Sequence, residues 1–153
     1  MDDFSGPDEV GAAEAEMDLQ FRRLTSYLMT PHYNECLVCF LVRAVPMLEP
    51  VGFAMTRIFR DSNAPRATGI GARLGQLGIH SDAHLLQWGV VTDEGIWEVP
   101  RCPDCGIPEG APPCRGVRKG STQPCELWIW RKHALSRRFE DETDRLDGLD
   151  WRY

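Results

Sequence analysis

The chain of 153 residues lacks any apolar run near the ~20 residues that a membrane-spanning helix needs. Its first six residues include two aspartates and no basic residue, and they do not show the basic-then-apolar order of an export signal. These absences predict a cytoplasmic protein that does not associate with membranes. A hydrophobic content of 42% predicts one domain with a core large enough to fold alone.

Familiar catalytic motifs are also missing. No glycine-rich phosphate loop with a lysine, no G-x-S-x-G elbow and no H-E-x-x-H helix is present. The zinc-deaminase pattern is incomplete, because neither His80 nor His84 has a glutamate two positions later. We therefore expect a non-enzymatic protein.

Lysine is scarce, since only Lys119 and Lys132 are lysines among the 17 basic residues. The net charge of −6 is unevenly distributed, because both ends are acidic while residues 21–139 carry a net charge of +5. This basic body keeps nucleic-acid binding open as an alternative. Its candidate anion contacts are Arg57, Arg60, Arg66, Arg73, Arg115, Arg118 and Lys119.

Hydrophobic periodicity predicts a mainly helical first half. Ala13, Met17, Phe21, Leu24 and Leu28 recur every three or four positions and form one apolar stripe on a helix over 8–29. Further helices are predicted over 35–48, 51–60, 68–77 and 133–146. Two β-rich runs, 85–91 and 96–99, flank an Asp/Gly turn and predict a β-hairpin. Helices followed by this hairpin have the order of a winged helix.

The predicted fold class is α+β, with a helical N-terminal body, a β-hairpin, a zinc-knuckle loop and a C-terminal helix. We divide the chain into four parts. They are a disordered acidic start over 1–7, a helical body with a first Cys/His site over 8–91, a hairpin and zinc-knuckle region over 92–130, and a C-terminal helix with an acidic tail over 131–153.

Six cysteines without an export signal favour a metal site over a disulfide framework. Cys102 and Cys105 stand in a C-P-x-C-G sequence, which is typical of a zinc knuckle. Cys114 and Cys125 follow in the same Pro/Gly-rich loop. We predict that these four thiolates enclose one zinc ion, which would contribute folding free energy on the order of 10 kcal/mol.

A second C-x-x-C pair, Cys36 and Cys39, lies in an apolar segment. His80 and His84 are four residues apart, a common spacing of zinc ligands on one helical face, and they could complete a second site. Asp82 is a possible alternative ligand. A competing assignment joins Cys36 and Cys39 with Cys102 and Cys105 in one shared site, so the chain would hold one or two zinc ions.

The segment Glu35–Arg43, read as E-C-L-V-C-F-L-V-R, resembles the E-C-L-x-C-[FY]-L-x-R opening of a small bacterial domain family of unknown function. The stretches 64–68 and 73–75 are similar to the middle of that family, and the resemblance covers about residues 20–90. Where the family has a C-D-C-E-type motif, this chain has His80 and Asp82. The resemblance implies a first metal site of Cys36, Cys39 and His80 with either Asp82 or His84, but it implies no activity.

These patterns predict a small protein with structural zinc that acts as a macromolecular interaction module, most plausibly with a protein partner. Candidate contact residues are Trp128, Trp130, Trp151 and Tyr153, although the first two also suit a core. One alternative is a zinc-containing winged-helix or ribbon-like nucleic-acid-binding protein. Another is a metal-dependent enzyme with an open zinc site of Cys36, Cys39 and one histidine, in which Asp82 or Glu35 acts as general base.

Overall fold

The computed structural model describes residues 7–98 and 100–138, with side chains described from residue 10 onwards. The predicted α+β class is confirmed. Five α-helices and a π-helix precede two short strands, and a sixth α-helix, α6, follows over 131–138. The elements are α1 (Pro7–Met29), α2 (Leu37–Leu48), α3 (Ala54–Asn63), α4 (Ile70–Gln76), α5 (Asp82–His84), the π-helix (Leu85–Gly89), β1 (Val90–Thr92) and β2 (Trp128–Trp130).

Helix α2 forms the centre of the core because nearly its whole sequence is apolar. Seven of its residues are buried, and Phe40 packs against Phe59 of α3 with ring centroids 5.8 Å apart. Pro46 stands in the last turn, and the helix ends at Glu49, which adopts the left-handed conformation (φ 42°). The sequence prediction of a buried helix here is confirmed.

Helix α1 is held to this core only near its C-terminal end. Its Leu28 is buried, while Arg43 of α2 donates hydrogen bonds to the carbonyl oxygens of Tyr27 (2.7 Å) and Thr30 (3.0 Å). Arg43 also pairs with buried Glu35 (2.9 Å). The remaining apolar stripe of α1 is exposed, so the predicted helix is present but most of its stripe is not covered by the core.

Asp82 fixes the start of α3. Its carboxylate accepts hydrogen bonds from the N–H groups of Met55 (2.7 Å) and Thr56 (3.1 Å) and from the Thr56 hydroxyl. Phe53, the residue before the helix, provides no side-chain cap, so Asp82 supplies it from 29 positions later in the chain. Burial raises the pKa of Asp82, and the three donated hydrogen bonds act in the opposite direction.

The predicted hairpin of 85–91 with 96–99 is wrong in its pairing. Residues 85–89 form a π-helix, and β1 pairs antiparallel with β2, where Val90 faces Trp130 and Thr92 faces Trp128. The π-helix exposes backbone carbonyls that would otherwise be paired, and Arg101 and Arg131 donate to two of them. Local sequence favours strands in this apolar run, but long-range contacts decide its structure.

The tryptophans near β2 belong to the core. Trp128 and Trp130 are 3% and 6% exposed, and Trp97 packs edge-on against Trp128 with ring centroids 5.1 Å apart. Burial favours a packing role over partner contact for Trp128 and Trp130. Trp151, Tyr153, the acidic tail and residues 1–6 of the predicted disordered start over 1–7 lie outside the described residues, whereas Pro7 begins helix α1. In the described part of the chain, no helix is long and apolar enough to cross a membrane.

Candidate metal centre

Four cysteines from three parts of the chain converge in the core. The Sγ atoms of Cys36, Cys39, Cys114 and Cys125 all lie within 4.8 Å of one another. Three of the four are buried, and Cys114 is half-buried. Four sulfur ligands about 2.3 Å from one ion fit this spacing, so the group could hold a tetrahedral metal ion.

Two of these sulfurs lie at the N-terminal end of α2. Cys36 is the N-cap, and its Sγ accepts a hydrogen bond from the N–H of Cys39 at 3.4 Å. The helix dipole at this end favours negative charge, so it favours thiolates. The C-x-x-C spacing therefore places both sulfurs on the first turn of one helix.

The other two sulfurs come from the loop between the Cys102 turn and β2. The N–H of Val117 donates to the carbonyl of Asn34 (2.9 Å), which holds the Cys114 segment against the start of α2. Gly116 has a φ of 82°, a left-handed backbone conformation that glycine adopts without strain. Cys125 lies three residues before β2, and the β1–β2 pairing brings it to the core.

Three of the four sulfurs accept hydrogen bonds from N–H groups. Cys114 Sγ accepts from the backbone N–H groups of Cys36 and Gly116, both at 3.3 Å. Cys39 Sγ accepts from the indole N–H of Trp128 at 3.3 Å. The backbone of Leu127 acts to lower the pKa of Cys125. Such donors stabilise thiolates, the form in which cysteine binds metal.

Contacts among the four thiols raise the pKa values of two of them and lower those of the other two. Contact with Cys114 and Cys125 raises the pKa values of Cys36 and Cys39, and burial adds to this effect. The same contacts, with Cys114 first, lower the pKa of Cys125. Contact with Cys125 raises the pKa of Cys114. Contacts with Cys36 and Cys39 together lower this pKa by a larger amount, to about 6. A bound cation would replace the thiol protons.

This cluster differs from both groupings predicted from the sequence. It joins Cys36 and Cys39 from the predicted Cys/His site with Cys114 and Cys125 from the predicted zinc-knuckle site. Spacing within the Pro/Gly-rich loop predicts that Cys114 and Cys125 share a site with the nearest C-x-x-C pair, Cys102 and Cys105. The contact between that loop and the start of α2 spans more than 70 residues, and local spacing carries no sign of it.

Cys102 and Cys105 lie together on a separate turn. Cys105 is exposed and Cys102 half-buried. Among the described residues, the cysteine group around Cys36 is the only set of three or more Cys, His, Asp or Glu side chains that converges closely enough for one ion. The structure therefore does not bring this pair together with Cys114 and Cys125, or with Cys36 and Cys39.

His80 and His84 take part in a surface stack instead of the cluster. Their rings are 5.2 Å apart, and His84 stacks on Trp88 at 5.6 Å. The Nδ1 atom of His84 also lies 3.3 Å from the backbone N–H of His80, which donates to it. Asp82, the alternative ligand, is occupied as the cap of α3. The predicted site of two thiolates and two imidazoles is thus not what the structure assembles.

The candidate anion contacts are distributed over several surfaces. Arg73 donates to the hydroxyl of Thr122 (3.1 Å), and Arg60 pairs with Asp61 (2.7 Å). All of the predicted contacts are exposed except half-buried Arg60. Because β1 pairs with β2 and not with 96–99, the winged-helix order that supported nucleic-acid binding is absent from the described residues. Binding of nucleic acid stays a prediction.

Comparisons of the chain with protein-family models, with curated proteins and with solved structures found no match. The resemblance to a bacterial domain family thus stays a prediction. Trp128 is the supporting residue that the sequence did not reveal as part of the site. Its position three residues after Cys125 was the only available signal.

Proposed function

We propose that the four-cysteine cluster holds one zinc ion with a structural role, in a small protein that acts as an interaction module. The observation that carries the metal assignment is the convergence of four sulfurs within 4.8 Å, three of which accept N–H hydrogen bonds. An all-thiolate donor set suits zinc, which is tetrahedral in structural sites. Four protein ligands leave no open position for substrate, so the arrangement favours a structural ion over the enzyme alternative.

The ion would join segments that few other interactions hold together. Residues 109–126 form a loop without helix or strand, and few of them are buried. Metal bonds to Cys114 and Cys125 would fix this loop to α2 at two points. We therefore expect the zinc-free protein to lose the loop's structure first, with loss of the β1–β2 pairing following because β2 begins three residues after Cys125.

Native mass spectrometry with and without a chelator tests this proposal. We expect one zinc ion per chain, lost when Cys114 and Cys125 are both replaced by serine. The matched control replaces Cys102 and Cys105 by serine and should keep the ion. Zinc that survives the first double substitution, or disappears in the control, would contradict the assignment.

The exposed apolar face of α1 supports a protein partner. Met17, Phe21 and Leu24 are 64%, 68% and 47% exposed, and they lie on one side of a helix that contacts the core only near Leu28. A contiguous apolar stripe of this kind is typical of an interaction surface. Acidic residues dominate the first half of α1, and Arg22 and Arg23 follow in the second half. The partner that fits is an amphipathic helix with basic residues opposite the first half.

A photo-crosslinking residue at position 21 tests this surface in living cells. We expect a defined crosslinked protein that is lost when Met17→Glu is combined with Leu24→Glu. Val51→Glu is the matched control, because Val51 is 88% exposed but lies outside α1. Equal loss in the control, or crosslinks that do not depend on Met17 and Leu24, would contradict the role of α1. Zinc content measured on the same variants separates this outcome from a failure of the metal centre.

A further inference from the structure

The turn that carries Cys102 and Cys105 has two accessible thiols outside the metal centre. Cys105 is exposed and Cys102 is half-buried. Within the described ranges 7–98 and 100–138, no third Cys, His, Asp or Glu approaches closely enough to form a metal-binding group with them. The pair is therefore a dithiol that its own chain does not close into a metal site.

The backbone of the turn is fixed on both sides. Cys102 donates its N–H to the carbonyl of Ile107 (3.0 Å), and its own carbonyl accepts from Gly106 (2.9 Å). Gly106 has a φ of 72°, a conformation that glycine adopts without strain. The guanidinium of Arg101 donates to the Gly106 carbonyl at 2.8 Å and anchors the turn to the π-helix. These bonds fix the backbone of the turn that carries the two thiols.

The two thiols differ in their surroundings. The backbone N–H of Cys105, the Cys105 thiol and the N–H of Asp104 lower the pKa of Cys102. The N–H of Ile107 acts to lower the pKa of Cys105, but contact with Cys102, slight desolvation and the charge of Glu109 together raise it. Cys102 is thus the better thiolate and Cys105 the better proton holder, a division of roles suited to an attacking and a resolving cysteine.

We propose that this turn is a thiol–disulfide exchange site whose substrate is a disulfide. In the first step the Cys102 thiolate attacks one sulfur of the substrate. The substrate S–S bond breaks, a mixed disulfide with Cys102 forms, and one substrate thiolate leaves and takes a proton from water. In the second step Cys105 loses its proton to water and attacks Cys102 Sγ. The mixed disulfide breaks, the second substrate thiolate leaves and takes a proton from water, and a Cys102–Cys105 disulfide remains.

The balance is one substrate disulfide and one protein dithiol converted to two substrate thiols and one protein disulfide. Two electrons pass from the turn to the substrate. The metal centre would not compete, because Cys36, Cys39 and Cys125 are buried and a bound ion would hold their thiolates. The chain would therefore separate four structural thiols from two reactive ones.

Reaction of the zinc-loaded full chain with oxidised glutathione tests the proposal, with acid quenching and peptide mapping by mass spectrometry. We expect a Cys102–Cys105 disulfide and full retention of zinc. Cys105→Ser should change the first step less than about twofold and stop at glutathione bound to Cys102. Cys102→Ser should slow the first step about 10-fold or more. A protein disulfide such as insulin in a second arm distinguishes a small-molecule from a protein substrate.

Glu109→Gln is the matched variant that keeps both thiols. It removes a negative charge beside the turn and should accelerate attack on the anionic glutathione disulfide. Alkylation of the unchanged chain gives an independent check, since iodoacetamide should label Cys102 before Cys105. Equal slowing by the two serine variants, first reaction at a cysteine of the metal centre, or a second zinc ion on the turn that blocks the reaction would overturn the proposal.

Discussion

Replacement of Asp82 by alanine should destabilise the protein without removing its metal ion. The Asp82 side chain is fully buried and accepts three hydrogen bonds, two from backbone N–H groups at the start of α3 and one from the buried Thr56 hydroxyl. Alanine leaves these donors without partners inside the core. A buried donor left without its acceptor costs about 1–3 kcal/mol, and loss of an N-cap alone costs about 1 kcal/mol. For the three donors together we expect a loss of about 3–5 kcal/mol.

Urea unfolding in the presence of excess zinc measures this loss. For an m value of about 2 kcal/mol/M, the midpoint should fall by about 2 M. Asp61→Ala is the control, because Asp61 is on the same helix, is exposed and pairs with Arg60 at the surface, so its loss should cost less than about 1 kcal/mol. An Asp82 variant with unchanged stability but no bound zinc would refute the cap and make Asp82 a ligand.

Two other substitutions test the packing around the site. Trp128→Phe removes the indole donor to a cluster sulfur and should weaken zinc binding about 10–100-fold. Trp130→Phe should not weaken it, because the Trp130 indole bonds to a glutamine side chain. Competition with a chromogenic chelator measures zinc binding in both variants. Gly89→Ala would place a Cβ 2.7 Å from the side chain of buried Ile79 and should cost about 1–3 kcal/mol, whereas Gly75→Ala meets no atom within 4 Å and should stabilise α4 by about 0.5–1 kcal/mol; thermal unfolding of both variants checks the contrast.

Elements with strong local signals were predictable from the sequence. The 3.6-residue period of α1 and the apolar run of α2 gave their type and approximate limits. The stretch from 85 to 91 did not reveal its structure, because an apolar run of this length suits a strand or a buried helix. Its π-helical part depends on Arg101 and Arg131, which are distant in sequence and satisfy its carbonyls.

The metal centre shows the same division. Residue type and the C-x-x-C spacing identified cysteine as the ligand class, and all four cluster cysteines were among the predicted ligands. Their grouping depends on which loop packs against α2, a tertiary contact that sequence spacing does not encode. The knuckle sequence around Cys102 had the stronger local pattern, yet the pair with the weaker pattern, Cys36 and Cys39, stands in the core beside the other two thiols.

Zinc X-ray absorption of the variant in which Cys102 and Cys105 are both serine tests the central assignment most directly. If Cys36, Cys39, Cys114 and Cys125 hold the ion, this variant should bind one zinc ion with four sulfur neighbours at about 2.3 Å. Loss of the ion, or a coordination shell with two sulfurs and nitrogen or oxygen neighbours at about 2.0–2.1 Å, would contradict the four-cysteine centre.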